Sequence, residues 1–318
     1  MKILSADCVL PIAAPPIVGG AVAFEGGTIT AVGTKADLVS RYPEAAAEDF
    51  GGSAIMPGLV NVHSHLELTA LRGFADEHDH DFSNWLLKIT AARSERLDES
   101  DVRLSALAGA VEGAIAGVTC FGDIGRLGVA GLEALRAVGL RGVVFQESEF
   151  CPDDRTAEDD FAKLAEKFTS LREHETDRVL VGLSPHAPYT VSAKMFDKIA
   201  RYAIENNVRV SVHASESVME EELMRYGTGF FAGVFKKFGI QFKSPGTSTI
   251  EFLDRLGVLA AKPLLAHCVR VSDRDIELIA ESDSRVAHCP KSNAKFGHGT
   301  APFDRFLARG IKVVTLGA

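Results

Sequence analysis

From Ile55 onward the chain repeats one pattern: an apolar run of strand length, a polar loop, then a stretch with helical spacing. The runs are Gly58–His63, Val118–Ile124, Gly142–Gln146, Val179–Leu183, Val208–His213, Leu264–His267, Val286–His288 and Val313–Leu316. Strands joined through helices pair in parallel, because a parallel connection must cross back over the sheet. Eight such units are enough to close a (β/α)8 barrel. The competing α/β architecture, an open doubly wound sheet, calls for a G-x-G-x-x-G turn after its first strand, and none stands there. Between the runs, Val102, Leu104, Leu107, Val111 and Ile115 recur at the spacing of an amphipathic helix, as do Leu132, Leu135, Val138 and Leu140. Ser248-x-x-Glu251 predicts a capped helix start before the sixth strand.

Residues 1–54 follow a different rule. Short β-like runs, Ala21–Phe24 and Thr28–Val32, alternate with glycine pairs, which suits a small sheet with tight turns. The expected organisation is therefore an N-terminal sheet over 1–54 and a barrel over 55–318. A chain of 318 residues, 46 % hydrophobic and 24 % charged, has the composition of a globular protein with a large core. Its net charge of −9, with no basic cluster longer than Lys236-Lys237, argues against nucleic acid as a partner. The apolar N-terminal stretch is broken at Pro11, Pro15 and Pro16, so neither a signal peptide nor a membrane span is expected. Five cysteines with no C-x-x-C spacing read as reduced thiols of a cytoplasmic protein.

Six of the ten histidines, His63, His65, His186, His213, His267 and His288, fall at the C-terminal ends of predicted strands. In a barrel that end carries the chemistry, because side chains from different strands converge there. His63 and His65 are two apart on an extended segment, share a face and could reach one metal together. Taken alone the pair reads rather as surface or loop-facing histidines; its place after the apolar run Met56–Val62 favours a buried mouth. His213 offers a third nitrogen, and three imidazoles suit zinc or ferrous iron. Glu216, three residues on, is either a solvated loop acid or a carboxylate that moves a proton. His267 and His288 are core histidines or polar groups beside the metal, and Cys268 and Cys289, alternating with them, read as packing.

Other chemistries lack their residues. No serine nucleophile elbow, phosphate loop or zinc ribbon is present. His65-Leu66-Glu67 is half of a cytidine-deaminase zinc motif, but no P-C-x-x-C completes it. His78 and His80 sit in an acidic run, 76–81, read as a solvated loop over the mouth.

Together, Met56–His65, Leu71-Arg72-Gly73, Ser184–Tyr189, His213–Glu216, Ala266–Cys268 and His288–Asn293 resemble the amidohydrolase superfamily, in its branch of nucleoside and nucleobase deaminases and triazine chlorohydrolases. The resemblance covers essentially the whole chain. It implies a (β/α)8 barrel with a small flanking β-sandwich, and one divalent metal, zinc or iron, on His63, His65 and His213. It implies proton transfer by Glu216 and His267, substrate contact by His186, and a pocket lined by the strand-seven segment from His288 to Asn293; Glu67 is a further candidate for substrate contact. Strand four ends without the lysine that bridges two metals in binuclear members, so a single metal is expected. Within the branch, His65-Leu66-Glu67 and the stretch from Gly246 to Gly299 look most like aminodeoxyfutalosine deaminases. Deaminases of S-adenosylhomocysteine and methylthioadenosine share nearly all the same motifs.

The implied activity is hydrolytic deamination of an aminopurine nucleoside or related heterocycle by metal-activated water. Dehalogenation or amide cleavage at the same site, and an inactive barrel serving as a binding subunit, are the alternatives. A small-molecule substrate and a homodimer are the expected partners. Family members end strand eight on a Gly-Thr-Asp-Ser type segment whose Asp is a metal ligand and base. This chain reads Leu316-Gly317-Ala318, one residue short of that Asp, so the C-terminal part is expected to be missing.

Overall fold

The computed structural model describes residues 1–314. Two compact units make up the chain, residues 1–59 and the part from Val60 onward, a division a few residues later than the change of pattern in the sequence. In the first unit, β1 (Lys2–Ser5), β2 (Cys8–Val9), β3 (Ile17–Val18), β4 (Gly20–Glu25), β5 (Thr28–Thr34), α1 (Lys35–Arg41), β6 (Ala46–Asp49) and β7 (Ala54–Ile55) follow one another. They form a four-stranded sheet in the order β5-β4-β1-β6 and a three-stranded one in the order β3-β2-β7. Strand alternation puts Ile3, Ala21 and Ala23 on one face, where Leu38 of α1 covers them. Thr34 starts that helix by accepting a hydrogen bond from Asp37 N–H at 3.2 Å.

The second unit is entered along β8 (Leu59–Ser64). After short 3-10 turns at Leu66–Leu71 and Asp76–His78 come α2 (Phe82–Arg96), α3 (Glu99–Ile115), β9 (Val118–Gly125), α4 (Gly128–Val138), β10 (Arg141–Glu147), α5 (Ala157–Arg172) and β11 (Val179–Ser184). Then follow α6 (Ala193–Glu205), β12 (Ser211–Ala214), α7 (Val218–Tyr226), α8 (Gly229–Lys237), α9 (Thr249–Arg255), β13 (Leu264–His267), α10 (Asp273–Glu281), β14 (Arg285–Ala287), α11 (Pro290–Lys295), α12 (Phe303–Ala308) and β15 (Val313–Val314). β8 to β11 form one sheet in chain order and β12 to β15 a second. A parallel bridge from Leu183 to Val210 joins them. Eight parallel strands in chain order with helical crossovers are the (β/α)8 barrel the repeat predicts. The last part of the expected eighth strand, and the segment Leu316-Gly317-Ala318, lie outside the described residues.

Local sequence explains the elements. α6 buries Met195, Phe196, Ile199, Ala200 and Ala203, one stripe of a 3.6-residue period, behind a Ser192 cap. α4 stops where Gly139 turns left-handed at φ 81°. Ser248 and Glu251 close the predicted capping box, at 3.1 Å and 3.0 Å. α3 departs from expectation. It is a helix, but Leu104, Leu107, Val111 and Ile115 are exposed, and Val102, Ser105, Ala106, Gly109 and Ala110 face inward. Among the described residues no helix is long and apolar enough to cross a membrane.

Candidate active site

β8 delivers His63 at its end and His65 just beyond, and β12 delivers His213; one ring nitrogen from each lies within 4.8 Å of the other two. Hydrogen bonding sets the tautomers. His65 Nδ1 meets the Ile124 carbonyl at 3.1 Å and His213 Nδ1 the His186 carbonyl at 2.9 Å. A carbonyl only accepts, so both Nδ1 atoms carry the proton and both Nε2 atoms carry a lone pair. Yet those Nε2 atoms face each other at 3.2 Å. Burial and the neighbouring imidazoles keep the rings neutral: His65 is lowered to about 4, His213 to about 3, and His63 falls well below its ordinary value. His63 Nδ1 is buried with no partner. Converging lone pairs on neutral rings are what a divalent cation requires, so the residues fit a metal.

Two other clusters fit less well. Cys289 lies near His63 and His267, closer to the mouth than a purely packing residue. Its thiol donates to the Ala287 carbonyl, and burial pushes it up to about 12. Glu147, His186 and His213 also approach one another, but His213 has one lone pair and already turns it to His65.

Glu216 follows β12 and is buried. Its backbone is fixed by Glu220, whose carboxylate accepts from Ser215 and Glu216 N–H at 2.8 Å each. Burial alone would raise the Glu216 carboxyl, but the imidazoles of His267 and His298 outweigh it and hold it well below the carboxylate range. Tyr189 donates to Oε2 at 3.1 Å, and His267 Nε2 lies 3.5 Å from Oε1. Asn293 Oδ1 accepts from His267 Nδ1 at 3.0 Å, which orients the ring with Nε2 toward Glu216.

These groups open onto a cavity of about 410 Å³ whose wall includes Phe82, Trp85, Leu86 and Ile89 from α2. His186 lines it, with Nδ1 on Thr190 Oγ1 at 2.7 Å. Glu67 lines it too, but its carboxylate is held by Arg93 at 2.8 Å and 3.1 Å and by Leu127 N–H. His288 lines a neighbouring cavity with Asn293 and Gly297 instead. Trp85 and Arg126 face the main cavity, whereas Phe150 is half-exposed against Phe238. The acidic run is tied down: His80 N–H reaches the Lys295 carbonyl, and Lys295 pairs with Asp76 and Asp79. Sequence reading gave no role to Tyr189, Arg93, Glu147 or His298. The first lies in Ser184–Tyr189, and the last follows Gly297 just beyond α11.

Comparison with known proteins decides the family. A model of the amidohydrolase family matches residues 54–317. The chain belongs to the amidohydrolase family. A short stretch of this amidohydrolase, 20–45, also matches an imidazolonepropionase-like composite domain of bacteria. It is 32 % identical over 292 residues to a 5-methylthioadenosine/S-adenosylhomocysteine deaminase of Nitratidesulfovibrio vulgaris (strain DP4), covering 92 % of this chain and 62 % of that one. To a 5'-deoxyadenosine deaminase of Methanothermobacter thermautotrophicus it is 33 % identical, over 83 % of this chain and 58 % of the relative. The amidohydrolase thus spans about six-tenths of the length of these relatives. In fold it matches Helicobacter pylori aminofutalosine deaminase, solved with methylthio-coformycin, at a TM-score of 0.85 and 21 % identity, over 100 % of this chain and 77 % of that one. A zinc-bound adenosine deaminase from Xanthomonas campestris matches at 0.80 and 24 % identity, over 100 % and 69 %.

Proposed function

We propose that this amidohydrolase is the barrel of a hydrolytic deaminase that replaces the amino group of a purine nucleoside or related heterocycle with oxygen and releases ammonia. The observation that carries the reading is the pair of facing Nε2 lone pairs on His65 and His213, with His63 beside them and the ionised Glu216 in the same cavity. His63, His65 and His213 would hold one divalent cation. Zinc suits three imidazoles, and the adenosine deaminase of like fold holds zinc. When bound, such an ion supplies the Lewis acidity that makes water nucleophilic near neutral pH.

This chain's residues do the rest. The apolar wall of Phe82, Trp85, Leu86 and Ile89 takes a flat ring system, and the cavity is of the size small-ligand sites have. Glu216, ionised and held by Tyr189, accepts the proton of the attacking water and returns it to the departing nitrogen. His267, oriented by Asn293, presents Nε2 to the same region. A C–O bond forms, a C–N bond breaks, and one water is consumed for each ammonia. The deaminase names of the relatives support this substrate class. The five free cysteines fit a reducing compartment such as the cytoplasm.

The test is ammonia release from adenosine, 5'-deoxyadenosine and methylthioadenosine by the chain loaded with one equivalent of zinc. Glu216→Gln should lower turnover by about 10²–10⁴-fold and leave zinc content unchanged. Full turnover in that variant would overturn the assignment of Glu216. Chloride release from a chlorotriazine, with no ammonia from any nucleoside, would move the reading to dehalogenation.

A further inference from the structure

One oxygen of Glu216 has two imidazole neighbours. Oε1 lies 3.5 Å from His267 Nε2 and 3.5 Å from His298 Nε2. His267 is also oriented from its other side, where Nδ1 lies 3.0 Å from Asn293 Oδ1. His298 Nε2 is buried, and apart from Glu216 Oε1, at the 3.5 Å limit of hydrogen-bond reach, it has no partner. Beside an ionised carboxylate a lone pair there would be repelled, so the surroundings select the tautomer with hydrogen on Nε2.

The backbone is built to present this ring. Gly297 and Gly299, on either side of His298, are left-handed at φ 64° and φ 106°, where a side chain would be strained. A Cβ at Gly297 would also come within 3.1 Å of His80 Nδ1. The His298 N–H bonds to the Asn293 carbonyl at 3.0 Å, so one turn carries both the residue that orients His267 and the ring that faces Glu216. Phe82 meets the imidazole edge-on at 4.9 Å and Phe296 lies 5.6 Å away, leaving little room to rotate.

We propose that His298 is a positioning residue for Glu216: its Nε2–H donates to Oε1 while Tyr189 holds Oε2, which fixes the plane of the carboxylate and leaves His267 Nε2 free for proton transfer. The role rests on the deaminase reading, but its physical core does not need turnover to be tested. In the ¹⁵N-labelled, zinc-loaded chain, two-bond ¹H–¹⁵N correlation spectra report each histidine tautomer, and His298→Asn identifies the His298 signals by their loss. The expected result is hydrogen on His298 Nε2, with resonances that move in Glu216→Gln. Hydrogen on Nδ1, or resonances indifferent to Glu216→Gln, overturns the proposal.

Kinetics supply the second arm. His298→Ala should lower kcat about tenfold or more with KM little changed, and His298→Asn, which keeps an N–H donor, should recover part of the loss. Wild-type kcat in His298→Ala overturns the role. No turnover by the wild type on any aminopurine nucleoside defeats the deaminase reading instead, and the tautomer still decides whether His298 holds Glu216.

Discussion

Asp123, on β9, is buried beside the start of the 3-10 turn that follows His65. Burial, then the nearby charge of Glu67, pushes its carboxyl up to about 7 against the Leu66 N–H and Ser64 hydroxyl that favour the ionised form. The folded chain therefore binds this proton more tightly than the unfolded chain, where the ordinary value is 3.8. The resulting stabilisation is complete below about pH 4 and is lost as pH rises through about 7, each pH unit between the two values contributing roughly 1.4 kcal/mol. Asp123→Asn keeps the Oδ1 acceptor and removes the titration. In urea unfolding at pH 5 and pH 8, the wild type should lose ground to this variant by a few kcal/mol at the higher pH; a constant difference would show that Asp123 is ionised throughout. The same contrast marks what a sequence can disclose at this scale. His63, His65, His213 and His267 are legible because a strand end dictates where a side chain emerges. Arg93, Tyr189 and His298 come from a helix and loops whose rotation no residue period states. The hold on Glu67 is hidden for the same reason, since its Arg93 partner lies on α2.

At the scale of elements, strand positions are readable to within a few residues because each is an apolar run closed by a polar loop. The face of α3 is not. Its sequence carries two stripes, one of large apolar residues and one of small ones, and hydrophobicity alone selects the large. Close approach selects the small: a Cβ at Gly109 would stand 2.4 Å from Thr69 Oγ1, and one at Gly113 would stand 2.3 Å from Phe121 Cζ. Only the side of Ala106, Gly109 and Ala110 lets the helix come that near. Ala106→Leu should therefore destabilise by about 1–3 kcal/mol through overpacking. Leu104→Ser, at a position 66 % exposed, should change stability by less than about 0.5 kcal/mol. Denaturant midpoints of the two variants check the assignment, and the reverse order would put the large stripe inside.

Across the whole molecule, the order of the eight strands follows from the repeat, but what ties them together does not. The two four-stranded sheets meet between β11 and β12, through the bridge between Leu183 and Val210 and the bond from His213 N–H to the His186 carbonyl just past β11. The proposed metal ligands come from both sheets. His63 belongs to β8 in the first sheet and His213 to β12 in the second, and His65 is anchored through Nδ1 to Ile124 on β9. A divalent ion there would act as a cross-link between halves as well as a reagent. It would also relieve the unfavourable approach of two unprotonated Nε2 atoms at 3.2 Å, a relief the unfolded chain cannot offer. Binding to the folded state alone at 100 times Kd stabilises by about 2.7 kcal/mol. Zinc should accordingly raise the Tm of the chelator-treated chain by several degrees in calorimetry. His213→Ala should abolish the rise, while His174→Ala, at an exposed position beyond α5, should leave it intact. A zinc-dependent rise that survives His213→Ala would place the ion elsewhere and separate the cross-link from the site.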